Sequence, residues 1–332
     1  MANKKSIGIV GVSHYLPKGI QTNEALCELI KDITPEWIIA KTGIKRRYHV
    51  TEGETTTSMA LAASQKALFK NDIDVQEIGL IIVASFSQDY LFPPLSAKIH
   101  SFLNLSKECQ IFDLNTNCVG LVTALTLGAE RMQNDHSIKK ALVIGVELLS
   151  KFTNSLDQDT AIFFSDGAAA IILGNVSEGY GYSSAKFLTD SSTFESVRMR
   201  AGGSSYTANA KIKDEKALFI EQNGLATWKQ AITNLPIVIN KLLLNEEKKI
   251  EEIDFFIFHQ ANNFLIEYVL KKLKIPSEKT FMNVSEIGNT GSASIGIALS
   301  EAFEKKLIKS GYTVMLAGVG AGFNFGACIF KV

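Results

Sequence analysis

The chain has 332 residues, of which 46% are hydrophobic, and its 34 lysines and arginines balance 34 aspartates and glutamates. This length is enough for one large core or two fused ones, and the zero net charge excludes an electrostatic basis for binding nucleic acid or an anionic membrane surface. No apolar run approaches the roughly 18–20 residues of a membrane span.

The first predicted element, at residues 6–12, is a strand. Its apolar run is too short and too rich in glycine for a secretory signal, whose core takes roughly 7–15 apolar residues, so a cytoplasmic protein is expected. Further strands are predicted by apolar runs at 78–85, 109–113, 141–147 and 168–173. Helices are predicted by the period of about 3.6 residues at 59–69, 95–103, 119–132, 226–244, 264–273 and 294–307. This alternation is typical of an α/β layered fold.

The order of elements occurs twice along the chain. In each half a helix leads into a strand, then into a strand-turn-helix unit, and then into two further strands. The second copy runs through TWKQAITNLPIVINKLLL, IEEIDFFIFHQA, TFMNVSEIGNTGSASIGIALSEAF, TVMLAGVG and FGACIFKV. A duplicated α/β unit explains this order, although many α/β proteins alternate by chance. We predict two halves, 1–178 and 179–332, that share buried helices and form one rigid body.

The four cysteines, Cys27, Cys109, Cys118 and Cys328, are scattered and lack the spacing of a metal site. Cys118 differs from the others because it stands where a strand gives way to a helix, in the segment NTNCVGLVTAL. Unpaired N–H groups and the positive end of the helix dipole favour the nucleophilic thiolate at such a place. The turn therefore marks Cys118 as a candidate nucleophile, the alternative being a small residue that packs the turn.

Two further side chains follow the corresponding elements of the second half. His259 ends the apolar run FFIFHQAN, at the carboxyl end of a predicted strand, where α/β proteins place their sites; a satisfied core histidine is the alternative. Asn289 lies in the glycine-flanked loop EIGNTGSASIGIAL, which lacks the lysine and the spacing of a phosphate loop. Because Asn289 occupies about the place in the second half that Cys118 has in the first, pseudo-twofold packing would bring all three side chains into one pocket.

These segments resemble the β-ketoacyl-ACP synthase III family of the thiolase superfamily. The resemblance covers nearly the whole chain and is carried by YLPKGIQTNEAL, EWIIAKTGIKRRYHV, NTNCVGL, FFSDGAAAIIL, HQAN, GNTGSAS and GAGFNFGACIF. The combination of HQAN, a GNT segment thirty residues later and an upstream cysteine is highly specific. The resemblance implies the thiolase fold, an α/β fold whose duplicated halves form five layers, α-β-α-β-α.

The resemblance also implies a decarboxylating condensation. Cys118 would accept an acyl group from acyl-CoA, and a malonyl or β-ketoacyl thioester would then attack that group. Uncharged His259 and Asn289 would donate hydrogen bonds to the enolate oxygen, and the backbone N–H groups of Cys118 and Ala321 would hold the acyl oxygen. Donors aimed at developing charge contribute about 3–4 kcal/mol each. The family needs no cofactor or metal, and its substrates are acyl-CoA and a malonyl thioester.

Contacts with substrates and partners are implied by the same resemblance. Trp37 matches a residue that stacks on the adenine of CoA, and Asn223 matches one that contacts the pantetheine arm. Phe92 matches a residue that crosses the interface of a homodimer and closes the acyl pocket of the other copy, so a homodimer is expected. Lys271 and Lys272 match basic residues near the docking surface for acyl carrier protein, although a solvated helix face explains them equally well.

Three positions depart from the family pattern. Phe264 and Gln158 stand where the family commonly has arginines for the carrier protein and the adenine, and Lys41 replaces another arginine near the adenine-stacking tryptophan. Phenylalanine pairs with neither phosphate nor carboxylate. These changes suggest a specialised relative, such as an enzyme of polyketide or dialkylresorcinol biosynthesis. Acyl chain length would depend on the surroundings of Phe92 and on the loop 191–210.

Other functions compete with condensation. Cys118 could pass its acyl group to an alcohol or amine without forming a carbon–carbon bond, though such a transferase has less need of Asn289. The chain could also be a non-catalytic subunit of a heterodimeric synthase, though such subunits typically lose the nucleophile. Hydroxymethylglutaryl-CoA synthase shares the fold and uses a glutamate near its cysteine. Glu147 is a candidate for that role, but a buried, hydrogen-bonded acid near the dimer interface is the preferred interpretation.

Overall fold

The computed structural model describes residues 5–207 and 214–332, so the last positions of the loop 191–210 lie outside the described residues. Thirteen strands occur among the described residues: β1 (Ile7–Tyr15), β2 (Gly19–Thr22), β3 (Arg46–His49), β4 (Ile78–Ala84), β5 (Gln110–Leu114), β6 (Lys140–Glu147), β7 (Gly167–Asn175), β8 (Gly181–Thr189), β9 (Val197–Arg198), β10 (Glu221–Gln222), β11 (Phe255–Phe258), β12 (Thr313–Gly320) and β13 (Asn324–Lys331). Nine of them build two large sheets, while β2 pairs with β3 and β9 pairs with β10.

Nine α-helices occur among the described residues: α1 (Asn23–Leu29), α2 (Pro35–Thr42), α3 (Thr56–Lys70), α4 (Leu95–Phe102), α5 (Gly120–Asn134), α6 (Gly224–Asn245), α7 (Asn263–Leu273), α8 (Val284–Ile287) and α9 (Ser294–Glu304). The side chains of Thr55, Asn223 and Asn262 accept a backbone N–H in the first turn of α3, α6 and α7 and so fix where these helices begin. No side chain caps α5 in this way. The turn that carries Cys118 sets its start instead.

The first large sheet has the strand order β1-β7-β6-β4-β5. β4 runs parallel to both β5 and β6, whereas β7 is antiparallel to β1 and to β6. The three parallel strands therefore share a carboxyl edge, which is formed by Ala84, Leu114 and Glu147. The turn with Cys118 follows β5 and projects from this edge, where α/β sheets commonly bind ligands.

The second large sheet has the order β11-β12-β13-β8, with β11 parallel to β12 and β13 antiparallel to both of its neighbours. It repeats the first sheet without a counterpart of β5. The strand predicted from TFMN is wrong, because this segment pairs only through a single bridge between Phe256 and Thr280. The Asn283 amide donates to Glu301 at 2.8 Å, and the chain enters α8 directly after Asn283 instead of extending along the sheet.

The elements stack in five layers. α3 and α4 pack on the outer face of the first sheet, α5 and α9 lie between the two sheets, and α6 and α7 cover the second sheet. α9 is buried along most of its length, including its two serines, as expected of a helix enclosed by other layers. The predicted α-β-α-β-α arrangement is confirmed.

The chain passes from the first sheet to the second between Asn175 and Gly181. The division into 1–178 and 179–332 falls in this passage. The middle layer takes α5 from the first half and α9 from the second, so each half contributes to a core shared by both sheets. The division of the chain into two duplicated halves at this point stays a prediction.

A helix long and apolar enough to cross a lipid bilayer is not found in residues 5–207 and 214–332.

Candidate active site

A cavity with a volume of about 770 Å³ brings together residues that lie far apart in the sequence. Cys118 from the first half and His259 and Asn289 from the second half all line it. Asn223 and Ala321 line the same cavity. The elements that deliver these residues are the carboxyl ends of β5 and β11, the loop between α8 and α9, the start of α6 and the turn between β12 and β13.

Cys118 lies in a single 3₁₀ turn, Asn117–Val119, between β5 and α5. Burial raises the pKa of the Cys118 thiol to about 12, the carboxyl of Glu147 adds to the rise, and hydrogen bonding to the backbone of the same residue opposes it. The predicted preference for thiolate is therefore wrong for the resting side chain. The free-energy cost of removing water from the thiolate exceeds the stabilisation that the N–H groups at the helix start provide. Cys118 rests as a neutral thiol at pH 7.

His259 follows β11, and only 4% of its surface is exposed. Burial lowers the pKa of the imidazole to about 4, so the ring is neutral at pH 7. Its Nδ1 lies 2.6 Å from the Oγ of Ser294, which also accepts the backbone N–H of Gln260 at 3.3 Å. Within the described part of the chain the Ser294 hydroxyl has no other acceptor, so it donates to Nδ1. The ring proton then sits on Nε2, the nitrogen left for the cavity.

Asn289 is fixed by both its backbone and its side chain. Its backbone N–H donates to the carbonyl of Phe163, and its own carbonyl accepts the N–H of Ser165, each at 2.9 Å. The side-chain Oδ1 accepts the backbone N–H of Gly291 at 3.0 Å. Because the amide oxygen is engaged in this way, the NH₂ group is left to face the cavity. His259 and Asn289 thus present N–H donors to one volume.

The turn between β12 and β13 lies directly against the turn that carries the cysteine. Gly320 comes so close to Thr116 that a Cβ at this position would overlap the Thr116 carbonyl oxygen, which explains why glycine stands there. The side-chain amide of Asn117 donates to the carbonyl of Ala321 at 3.0 Å. The backbone of Ala321 and that of Cys118 are therefore held side by side at the cavity wall.

Glu147 ends β6 beneath the loop that carries Asn289. It is fully buried, and the hydroxyl of Ser87 and the N–H of Phe86 donate to its carboxyl. A Cβ on Gly291 would lie 2.8 Å from the Cγ of Glu147, which shows how closely the loop covers it. Burial raises the pKa of Glu147 to about 8, because these hydrogen bonds offset only part of the lost hydration. Glu147 does not line the cavity, so its surroundings are those of a buried structural acid.

The raised pKa of Glu147 predicts that stability falls between pH 6.5 and 8. In this window the folded chain keeps the carboxyl protonated while the unfolded chain ionises it, so the folded state binds more protons and the free energy of unfolding decreases as pH rises. The expected loss is roughly 2 kcal/mol, from about 1.4 kcal/mol per pH unit. Chemical denaturation at both pH values should show this loss in the wild type and remove most of it in Glu147→Gln.

His14 and His259, whose lowered pKa values act with the opposite sign mainly below pH 6.5, are present in both the wild type and Glu147→Gln, so the difference between these two proteins isolates the Glu147 carboxyl. Glu24→Gln serves as a control, because the pKa of this exposed carboxyl is lowered and it stays ionised in both states. An equal loss of stability in the wild type and in Glu147→Gln would contradict the prediction.

The residues predicted to contact CoA divide into two groups. Asn223 lines the cavity at the start of α6, whereas Trp37 and Gln158 lie outside its lining. Lys41 lines the cavity, and its Nζ lies 5.6 Å from the centre of the Trp37 ring. Phe264 lines the cavity at the start of α7 with 39% of its surface exposed, so this position presents an apolar face.

Three further predicted residues lie away from the cavity. Phe92 is 84% exposed and belongs to an exposed apolar run at 90–92. Lys271 and Lys272 are exposed at the end of α7. The Nζ of Lys272 donates to the carbonyl of Ile232 at 3.0 Å, so part of its hydrogen-bonding capacity is used within the chain.

Two polar residues of the site were missed by sequence reasoning. Ser294 orients His259 although the two stand 35 positions apart, and Asn117 reaches Ala321 across 204 positions. Both lie in segments that the sequence marked, GNTGSAS and NTNCVGL, but only packing shows which residue of each segment makes the contact. Residues 5–207 and 214–332 contain no group of three His, Cys, Asp or Glu side chains that could hold a metal ion.

Comparison with known families matches two parts of the chain. Residues 112–191 match the family described as 3-oxoacyl-[acyl-carrier-protein (ACP)] synthase III. Residues 243–332 match the family described as the C-terminal part of the same synthase. The two matched ranges contain Cys118, His259 and Asn289.

Whole-length relatives extend this match. The β-ketoacyl-[acyl-carrier-protein] synthase III of Fusobacterium nucleatum subsp. nucleatum is 35% identical over 327 residues, covering 98% of this chain and 99% of the relative. The crystal structure of 3-oxoacyl-[acyl-carrier-protein] synthase III from Aquifex aeolicus VF5 is similar with a TM-score of 0.89 and 31% identity, covering 98% and 100% of the two chains. The priming β-ketosynthase of the R1128 polyketide biosynthetic pathway is similar with a TM-score of 0.91 and 25% identity, covering 100% and 98%.

Proposed function

The chain belongs to the 3-oxoacyl-[acyl-carrier-protein] synthase III family, also called β-ketoacyl-ACP synthase III, and we propose that Cys118, His259 and Asn289 perform its condensation reaction. The chain is an acyl-transferring condensing enzyme of fatty acid or polyketide biosynthesis. The observation that carries the assignment of residues is that one cavity holds a thiol, a neutral imidazole and an oriented amide. These three groups suit two successive half-reactions.

In the first half-reaction the sulfur of Cys118 attacks the carbonyl carbon of an acyl thioester. The new carbon–sulfur bond forms first and gives a tetrahedral oxyanion. The carbon–sulfur bond to CoA then breaks, and the thiol proton of Cys118 ends on the CoA sulfur, so no net proton is consumed. The backbone N–H groups of Cys118 and Ala321 hold the oxyanion that develops in between. The step therefore starts from the neutral thiol that burial favours.

In the second half-reaction a malonyl thioester loses CO₂, and the electrons of the broken carbon–carbon bond form an enolate. The Nε2–H of His259 and the NH₂ group of Asn289 donate to the enolate oxygen, as donors aimed at developing charge. The enolate carbon then attacks the acyl carbonyl, and the thiolate of Cys118 leaves and takes up a proton from water. A neutral imidazole suits this role because it donates a hydrogen bond without holding an extra charge in a buried place.

The substrates of the family are acyl-CoA and a malonyl thioester, and its reaction needs no cofactor. On this chain Asn223 would contact the pantetheine arm inside the cavity, while Trp37 would contact the adenine outside it, beside Lys41. Lys271 and Lys272 would contact an acidic carrier protein. The apolar surface of Phe264 at the cavity supports a specialised acyl donor over the common one.

The exposed run 90–92 supports a homodimer. Its three large apolar side chains, Tyr90, Leu91 and Phe92, are 55%, 74% and 84% exposed. Contiguous apolar surface of this kind commonly marks a contact with another protein. In a dimer Phe92 would enter the acyl end of the cavity of the other copy and limit the length of the acyl chain.

The proposed function is tested by incubating the chain with a series of acyl-CoAs, adding malonyl-ACP, and analysing the products. We expect covalent acylation, release of CO₂ and a β-ketoacyl-ACP. Rapid formation of acetoacetyl-ACP from acetyl-CoA would exclude a specialised acyl donor, whereas acylation by longer or carrier-bound chains alone would support one. Acyl transfer to an alcohol or amine without release of CO₂ would replace condensation by the competing function. No acylation by any donor would overturn the assignment.

A further inference from the structure

Asn117, the residue before the nucleophile, has a left-handed backbone conformation in an unusual place. Its φ is 52°, in the left-handed region that non-glycine residues rarely adopt. Five other non-glycine residues among those described have positive φ, namely Asp72, Asn104, Glu247, Lys274 and Lys306. Each of those five lies one or two residues after the end of a helix, where left-handed residues are common. Asn117 instead precedes a helix and adjoins the cavity.

The side chain of Asn117 links the two halves next to two residues of the cavity lining, Cys118 and Ala321. Its amide donates to the carbonyl of Ala321 at 3.0 Å, and its backbone N–H is held by the Oδ1 of Asn115 at 3.1 Å. Gly320, one residue before Ala321, packs against the carbonyl of Thr116 without room for a Cβ. The left-handed conformation thus aims the amide of Asn117 at the turn between β12 and β13. An unusual backbone conformation at a functional site persists when surrounding contacts enforce it.

We propose that Asn117 is a positioning residue that holds Ala321 against the cysteine turn through its carbonyl, so that the N–H of the same residue meets the oxygen of the acyl group. This inference rests on the proposed function, because the Ala321 N–H is one of the two donors assigned to the first half-reaction. Asn117 does not line the cavity and touches no reacting atom. Its effect should therefore fall on the rate of acylation, through the orientation of a donor, more than on the binding of the acyl donor.

Asn117→Gly separates the hydrogen bond from the backbone conformation. Glycine adopts positive φ without strain, so this variant keeps the turn and loses only the amide. We expect its melting temperature to stay close to that of the wild type, and its rate of Cys118 acylation at saturating donor to fall about 10- to 100-fold. The KM for the donor should change less than about threefold. Rapid-quench intact mass spectrometry measures the acylation rate directly.

Asn104→Gly is the matched control. Asn104 has φ of 50°, lies after α4 and is exposed, so the same substitution is made in the same conformation away from the cavity. Its acylation rate should equal that of the wild type. Asn117→Asp adds a pH readout: its carboxylate repels the Ala321 carbonyl, but its protonated form can donate again. The ratio of acylation by Asn117→Asp to acylation by Asn117→Gly should rise as pH falls from 8 to 5.

The outcomes separate the two proposals. If the wild type is acylated and Asn117→Gly is acylated as fast, the positioning role is overturned while the proposed function stands. If Asn117→Gly is acylated slowly, but the ratio of the Asn117→Asp rate to the Asn117→Gly rate does not change with pH, the amide donor is not the cause of the slow acylation. The positioning role is then overturned as well. If no donor acylates the wild type, the proposed function fails and this inference fails with it.

Discussion

Replacing Cys118 with alanine is expected to abolish covalent acylation, whether the acyl group is offered on CoA or on a carrier protein. The other three cysteines, Cys27, Cys109 and Cys328, do not line the cavity that holds His259 and Asn289, and none of them stands at the start of a helix that opens on it. Intact mass spectrometry should show the mass of the acyl group on the wild type and no gain on Cys118→Ala. The rate of condensation should fall by at least about 10⁴-fold, as commonly found when a covalent nucleophile is removed.

Cys27→Ala is the appropriate control for this prediction. Cys27 is a half-buried thiol in α1, and its pKa is raised by burial and by the neighbouring carboxyls of Glu24 and Glu36. The Cys27→Ala variant should load as the wild type does, which shows that removal of a thiol as such has no effect. A mass gain that persists on Cys118→Ala would place the acyl group on another residue and remove the basis of the proposed mechanism.

The layered fold could be predicted from the sequence because its signals are local. A few residues are enough to predict each element: an apolar run predicts β6, an amphipathic period predicts α5, and a start of small residues predicts α9. The repeated order then suggested two similar halves, and the family resemblance supplied the five layers. The one strand predicted in error, at TFMN, is apolar like a strand, but it meets β11 only at Thr280, and the chain leaves the sheet by Asn283, whose amide donates to Glu301.

The neutral state of His259 came only from the family resemblance, and the ionisation of Cys118 was predicted wrongly from its position, because ionisation depends on how much water packing removes. The helix start next to Cys118 favours thiolate, yet burial in the folded chain raises its pKa to about 12. The same limit applies to His14, which no sequence pattern marks. It lies in β1, and burial lowers its pKa to about 4, while its Nδ1 lies 2.9 Å from the Oγ of Ser300. Neither environment is visible until distant elements are brought together.

Orientation of polar side chains was the second kind of information missing from the sequence. His259 and Asn289 could be named from their motifs, but the atoms that face the cavity depend on Ser294 and Gly291, which engage Nδ1 and Oδ1 respectively. The donors of the site are therefore determined by partners rather than by the residues themselves. Because the ring and its partner are separate residues, the role of His259 can be tested by replacing first the histidine and then Ser294.

His259→Ala is expected to slow condensation by about 100- to 1000-fold while Cys118 is still acylated at nearly the wild-type rate. The lost Nε2–H served the enolate of the second half-reaction, and removing one donor to a developing oxyanion commonly has an effect of this size. The acyl oxygen of the first half-reaction is held by backbone N–H groups, which the substitution leaves in place. Acylation is measured by rapid-quench mass spectrometry, and condensation by CO₂ release from malonyl-ACP.

His14→Ala provides a closely matched control. Like His259, His14 is a neutral histidine whose pKa is about 4 and whose Nδ1 contacts a serine hydroxyl, but it is only half-buried and lies outside the cavity. Its replacement tests what the loss of such a histidine does to folding, and at a temperature where the variant is folded it should leave both half-reactions intact.

Ser294→Ala then isolates the orientation of the ring. Without the hydroxyl, the proton of the neutral imidazole is no longer directed to Nε2, so condensation should slow by roughly tenfold, less than in His259→Ala, with acylation unchanged. Because the pKa of His259 is about 4, the wild-type condensation rate should also show no titration of this ring between pH 5.5 and 8. If His259→Ala stopped acylation and condensation to the same extent, the histidine would act on the cysteine itself, and the enolate would have to be stabilised by Asn289 alone.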